Sequence, residues 1–134
     1  MFDGTFGGGN HTVPLLLEHR SLRALGTDLD EAVMEQCRLE YSDLVKAKRL
    51  ALVHSNYVNI PAIDLKEAFN RKITGKALFD IGLLDLGMSS YQLDDEERGF
   101  NFRNYCNESA LDMRFDSSAN PNYAAASDIV NSAS

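Results

Sequence analysis

Two short apolar runs in this chain each end at a carboxylate. Residues 22–27 close at Asp28, and residues 79–84 close at Asp85. A third run, residues 49–54, lies between them. Runs this short, separated by segments of helical period, read as buried strands of a parallel sheet rather than arms of hairpins. The element order is then loop–α–β–α–β–α–β, which requires crossover connections of right-handed sense. Open sheets of that kind meet their ligands at the carboxyl ends of the strands, where Asp28 and Asp85 stand.

The intervening helices follow from spacing and punctuation. Residues 13–20 read as the first helix, with Pro14 in its opening turn, where a missing N–H is tolerated. Asp30 reads as the N-cap of a helix reaching about Lys48, because Val33, Cys37, Tyr41 and Leu44 recur on one face. Residues 55–59 form a loop. Pro61 opens a further helix over 62–73, closed by Thr74-Gly75, and the strand 79–85 follows. From about Asp94 the chain turns charged and rich in Asn and Ser, and the next helix spans roughly residues 123–132.

Composition sets bounds on the rest. The chain has 134 residues, 44% hydrophobic and 25% charged, enough for one compact domain. Its net charge of -7 argues against a surface built mainly to hold phosphate backbone, although a few arginines can position an RNA. No apolar run approaches the roughly 18 residues of a membrane span. Cys37 and Cys106 are far apart and match no metal spacing, so they read as reduced thiols and no metal is expected. His19 and His54 read as ordinary surface or loop residues.

Residues 3–11, Asp-Gly-Thr-Phe-Gly-Gly-Gly-Asn-His, form a glycine-rich loop whose backbone a ligand could approach closely. No Gly-Lys-Ser/Thr follows, which excludes a P-loop, and the spacing differs from Gly-x-Gly-x-x-Gly. An acidic residue ahead of alternating glycines resembles the nucleoside-binding loop of S-adenosylmethionine-dependent methyltransferases. Asp28, about 20 residues on, stands where dinucleotide folds bind ribose hydroxyls.

With the second block added, the resemblance becomes specific. Leu84-Asp85-Leu86-Gly87, Ser89-Ser90, Gln92-Leu93-Asp94, Glu97-Arg98-Gly99-Phe100, Leu111-Asp112-Met113-Arg114 and Asp128-Ile129-Val130-Asn131 accompany the Asp-Gly-Thr-Phe-Gly loop ending at His11. In these motifs the chain resembles the bacterial-type 16S ribosomal RNA cytosine-N4 methyltransferase family, which has mitochondrial relatives. The resemblance covers almost the whole chain and corresponds to that family's N-terminal half. It implies an α/β fold, an incomplete class I methyltransferase (Rossmann-like) parallel sheet with helices on both faces, lacking most of the first strand and the C-terminal half. Residues 1–93 would be a partial S-adenosylmethionine-binding domain, and 94–134 a substrate-side loop and the start of an inserted helical region.

The resemblance also implies site residues. Cofactor contacts fall on Gly9, Asn10, His11, Asp28, Tyr57, Asp85 and Gln92, and Asp85 is the catalytic candidate. Loop amides would meet the methionine carboxylate, Asp28 the ribose hydroxyls, and Tyr57 the adenine. Asp85 would accept from the methionine ammonium or steer the target amine. The reaction implied is in-line displacement of the sulfonium methyl by the exocyclic amine of cytosine, accelerated mainly by alignment, on a base taken out of its stack. Arg98, Arg103 and Arg114 are candidates for holding RNA phosphates. Expected partners are small-subunit ribosomal RNA and the small ribosomal subunit, in a bacterial cytoplasm or a mitochondrial matrix, with no membrane.

Three positions depart from the family pattern. Asn10 replaces a glycine, Tyr91 a proline, and Asn107-Glu108-Ser109-Ala110 precedes Leu111 in place of Asp-Gly-Pro. The strand feeding the glycine loop is reduced to Met1-Phe2, although such a strand belongs between those ending at Asp28 and Asp85. The expectation is a chain that folds poorly or depends on another chain and is inactive alone. Two other readings compete. A doubly wound oxidoreductase is opposed by the loop spacing and leaves the block from Gln92 to Phe100 unexplained. A non-catalytic relic binding a ribosomal or protein partner would account for the departures.

Overall fold

In a computed structural model, residues 1–62, 68–69, 79–88, 90–95, 98–100, 111–114 and 124–132 are described. Four strands form one parallel sheet in the order β3-β2-β1-β4, with β1 at Phe2–Asp3, β2 at Ala24–Asp28, β3 at Leu50–His54 and β4 at Gly82–Leu83. The register pairs Phe2 with Leu25 and with Gly82, and Ala24 with Leu50. The two-residue β1 therefore lies between the strands that lead to Asp28 and to Asp85, as the sequence requires. Short as it is, Met1 anchors it at the start, because its ammonium donates to the Arg23 carbonyl at 2.9 Å. Around it Phe2, Leu25 and Ala51 form an apolar cluster against which Val53, Tyr57, Ala68, Phe69 and Phe79 pack.

The run 79–85 is less of a strand than its composition suggests. Only Gly82 and Leu83 pair, and Ile81, Leu84 and Leu86 are exposed. The sheet order explains this: β4 is an edge strand, bonded to β1 on one side, with no strand on its other side among the described residues. Apolar composition points to burial, but it does not reveal which strand lies at the rim.

Helix α1, Thr12–Glu18, starts at His11 and carries Pro14 in its first turn. The Arg49 guanidinium gathers its end, donating to the carbonyls of Leu16, His19 (2.7 Å) and Leu22 (3.4 Å). The expected single helix from Asp30 to Lys48 divides into α2, Glu31–Glu40, and α3, Ser42–Lys46, at Tyr41, whose φ of -101° and ψ of 29° leave the helical region. Asp30 caps α2 as predicted, its carboxylate accepting from the Val33 amide at 3.2 Å. Helix α3 closes in a Schellman arrangement: the Lys48 amide donates to the Val45 carbonyl, the Arg49 amide to that of Leu44, and Lys48 has φ 55°.

The expected loop 55–59 becomes a 3-10 turn, Tyr57–Ala62. Most of the expected helix 62–73, with its closing Thr74-Gly75, lies outside the described residues.

The chain divides into two compact units, Met1–Leu86 and Gly87–Ser134. The second holds α4, Ser90–Asp94, and α5, Ala126–Ser132. No helix was expected at α4. Within this unit the segment 111–114 is tied on both sides. Its Met113 amide donates to the Arg98 carbonyl, and the amides of Ala126 and Ser127 donate to the carbonyls of Asp112 and Leu111.

Candidate functional site

The glycine loop is held mainly by the strands and helices beside it. From the β2 side, the Thr27 carbonyl accepts from the Phe6 amide at 2.9 Å. One Asp28 oxygen accepts from the Gly7 amide at 2.8 Å, and the other from the Asp30 amide at 3.0 Å. From α2 and its end, the Cys37 thiol donates to the Gly7 carbonyl at 3.4 Å and the Tyr41 hydroxyl to the Gly8 carbonyl at 2.9 Å. Burial, with Glu40 and Asp28 adding to it, pushes the Cys37 thiol up to about 11, so it stays a neutral donor at physiological pH.

Gly4, Gly9 and Gly26 serve this packing. Gly9 has φ 78°, and a β-carbon there would come within 2.8 Å of Phe6 and Val13. On β2, a β-carbon at Gly26 would meet the Phe6 ring at 2.5 Å, and one at Gly4 would strike Leu84 and Tyr57. The ring of buried Phe6 therefore fills space that glycine leaves at Gly9 and Gly26. What the loop exposes is Asn10 and His11, whose amides make no backbone hydrogen bond among the described residues. Asn10 does not have positive φ, so asparagine carries no backbone penalty there.

Asp85 reaches the same loop from β4. Its amide donates to Thr5 Oγ1 at 2.7 Å, and its Oδ2 lies 3.0 Å from His11 Nε2. Both side chains of this ion pair are largely exposed. Behind the loop, Asp3 is buried and accepts from the Thr5 amide at 3.2 Å and the Thr12 hydroxyl at 2.5 Å. Burial raises its carboxyl above the usual range, and these two hydrogen bonds partly offset the effect.

The structure thus brings Gly9, Asn10, His11, Asp28 and Asp85 to one loop. Tyr57 packs partly buried against the Phe2–Leu25–Ala51 cluster, with its β-carbon close to the position a Gly4 side chain would take. Gln92 is buried in α4, in the second unit. Of the three arginines expected to meet phosphate, Arg114 is chelated by Asp112, at 2.6 and 2.8 Å, and Arg98 donates to the Arg114 carbonyl. The Arg114 bonds hold the Asp112 carboxyl below its usual range. Arg103, Cys106 and 107–110 lie outside the described residues. His54 is a strand-end residue whose Nε2 donates to the Leu29 carbonyl at 2.9 Å. No cluster of potential metal ligands occurs among the described residues.

Sequence reasoning took Asp3 and Thr5 only as part of the glycine-loop pattern, and missed their bonds, the Thr12 hydroxyl, the packing at Gly26 and the loop-holding role of Tyr41 and Cys37. Tyr41 and Cys37 were visible only as an apolar face. Their polar atoms at four-residue spacing, one turn apart, were the available signal.

The sequence pattern of the MraW methylase family matches residues 1–134. The ribosomal RNA small subunit methyltransferase H of Thermobifida fusca is 40% identical over 129 residues, covering 96% of this chain and 34% of that protein. The protein of the same name from Elusimicrobium minutum is 40% identical over 131 residues, covering 97% of this chain and 39% of that one. For its counterpart in Oenococcus oeni the figures are 37% over 116 residues, 87% and 34%. The chain spans 34 to 39% of the length of these relatives.

Proposed function

Since the chain belongs to the MraW methylase family, we propose that it carries the S-adenosylmethionine-binding half-site of an enzyme that methylates the N4 amine of a cytosine in small-subunit ribosomal RNA. The observation that carries this reading is the convergence of Asp28 and Asp85 on one glycine loop, each bonded to a different part of it. The residues present fit the cofactor. Asp28 uses one acceptor position on each oxygen, for the Gly7 and Asp30 amides, which leaves one on each for the two ribose hydroxyls. The amides of Asn10 and His11 face no backbone acceptor among the described residues and suit the methionine carboxylate. Tyr57 supplies a ring for the adenine.

When bound, the cofactor supplies an electrophilic methyl on a sulfonium. The chain's part is alignment. Asp85 accepts a hydrogen bond from the target amine, which turns the nitrogen lone pair toward the methyl and draws off charge as the bond forms. No covalent enzyme intermediate is needed. The ribosomal partner and a cytoplasmic location, or a mitochondrial matrix, belong to the same proposal. No described helix is long and apolar enough to cross a membrane.

Amide chemical-shift mapping tests the reading. S-adenosylmethionine added to the isotopically labelled chain should move Gly9, Asn10, His11, Asp28 and Asp85 first, and nicotinamide dinucleotide should leave them in place. Asp28→Asn should weaken binding at least tenfold, about 1.4 kcal/mol. Unmoved loop amides at millimolar S-adenosylmethionine would overturn the proposal.

A further inference from the structure

Five residues of the first unit close a ring of contacts around the glycine loop. Buried Asp3 accepts from the Thr5 amide at 3.2 Å through Oδ1 and from the Thr12 hydroxyl at 2.5 Å through Oδ2. Thr5 then accepts the Asp85 amide on its own hydroxyl oxygen at 2.7 Å. Thr12 follows His11 directly in the chain, and His11 Nε2 lies 3.0 Å from Asp85 Oδ2. The ring begins and ends at Asp3. We propose that Asp3 and Thr5 are positioning residues that, through His11 as the third point, fix the Asp85 carboxylate in one orientation. Oδ2 is committed to His11, and Oδ1 is left for the reacting partner.

Three features of the ring support this reading over a purely stabilising one. The His11–Asp85 pair is exposed, its side chains keeping 59% and 64% of their accessibility. Pairs so exposed contribute little to stability, so the arrangement is not explained as a brace for the fold. Asp3 is 1% exposed, and burial raises its carboxyl, so retaining a carboxylate there opposes folding instead of aiding it. Third, an aspartate as exposed as Asp85 would ordinarily sample several rotamers. Here its backbone amide is tied to Thr5 and one carboxylate oxygen to His11, which favours one rotamer over the others. Because an ionised carboxylate has no proton to give, His11 must donate from Nε2.

The inference rests on Asp85 acting at the transferred methyl, as proposed above, but it is tested first without any ligand. The probes are the side-chain carboxylate carbon of Asp85 and the imidazole nitrogens of His11, read by NMR in the full 134-residue chain. The wild type should show a protonated His11 Nε2 coupled to Asp85. Thr5→Val deletes the acceptor at constant shape and should shift both signals, whereas Thr5→Ser, which keeps the oxygen, should restore them. Asp3→Asn should act like Thr5→Val. His11→Ala, an exposed change that does not threaten folding, should shift the Asp85 carboxylate by itself. Asp85 and His11 signals identical in wild type and in Thr5→Val, or an Asp85 signal indifferent to His11→Ala, would overturn the proposal. Affinity for S-adenosylmethionine separates the two readings. If the ring responds as described and the wild type binds no S-adenosylmethionine, the ring stands and the function proposed above fails. If S-adenosylmethionine binds and Thr5→Val matches Thr5→Ser in both signals and affinity, the ring fails alone.

Discussion

At the scale of single residues, the glycines divide by what surrounds them. Gly9 combines φ 78° with Phe6 and Val13 at 2.8 Å from any added β-carbon, whereas Gly82 has nothing within 4 Å. Gly9→Ala should cost about 2–4 kcal/mol, combining left-handed strain with overpacking. Gly82→Ala should stay within about 0.5 kcal/mol of the wild type. Chemical denaturation of the two variants side by side checks the contrast.

Asp3 gives a pH dependence of definite sign. Its folded carboxyl is raised by burial, so the native state holds that proton more tightly than the unfolded chain does. Stability then falls as pH climbs out of the ordinary carboxylate range through the raised value, and below that range the penalty is absent. Melting temperatures across the acid range should show the wild type losing ground to Asp3→Asn as pH rises. A difference that is flat with pH would contradict this assignment.

At the scale of elements, much of the molecule could be read from the chain, for physical reasons that also mark where reading stopped. The runs 22–27 and 49–54, the Asp30 cap and Pro14 in a first turn are signals carried within a few residues, and each appears where expected. At the division, Tyr41 donates to the Gly8 carbonyl, a contact that no local pattern encodes. The exposure of the run around β4 depends on strand order, which is a property of the whole sheet. Likewise, Asp28 and Asp85 were legible as strand-end carboxylates, but their bonding partners, the Gly7 and Asp30 amides at Asp28 and the Thr5 hydroxyl at the Asp85 amide, were hidden because such groups in a turn have many ordinary uses. At the close of α3, Lys48 holds a left-handed conformation that glycine would adopt without strain. Lys48→Gly should therefore raise stability by about 0.5–1 kcal/mol, measured as a shift in denaturant midpoint at unchanged slope.

At the scale of the whole molecule, the rim of the sheet at β4 gives an expectation for solution behaviour. Ile81, Leu84 and Leu86 are exposed beside β4, whose outer side is unpaired among the described residues. Apolar edges of that kind pair with one another. Sedimentation velocity should show self-association that grows with concentration, and Leu86→Lys should reduce it; an unchanged profile would count against the rim as its cause. At the opposite edge of function, the loop between β1 and α1 has its carbonyls at Gly7 and Gly8 fastened by Cys37 and Tyr41, and its amides at Phe6 and Gly7 fastened by β2. A small molecule docking on it finds a surface already rigid, so little chain entropy is lost on association, and affinity reflects the contacts themselves.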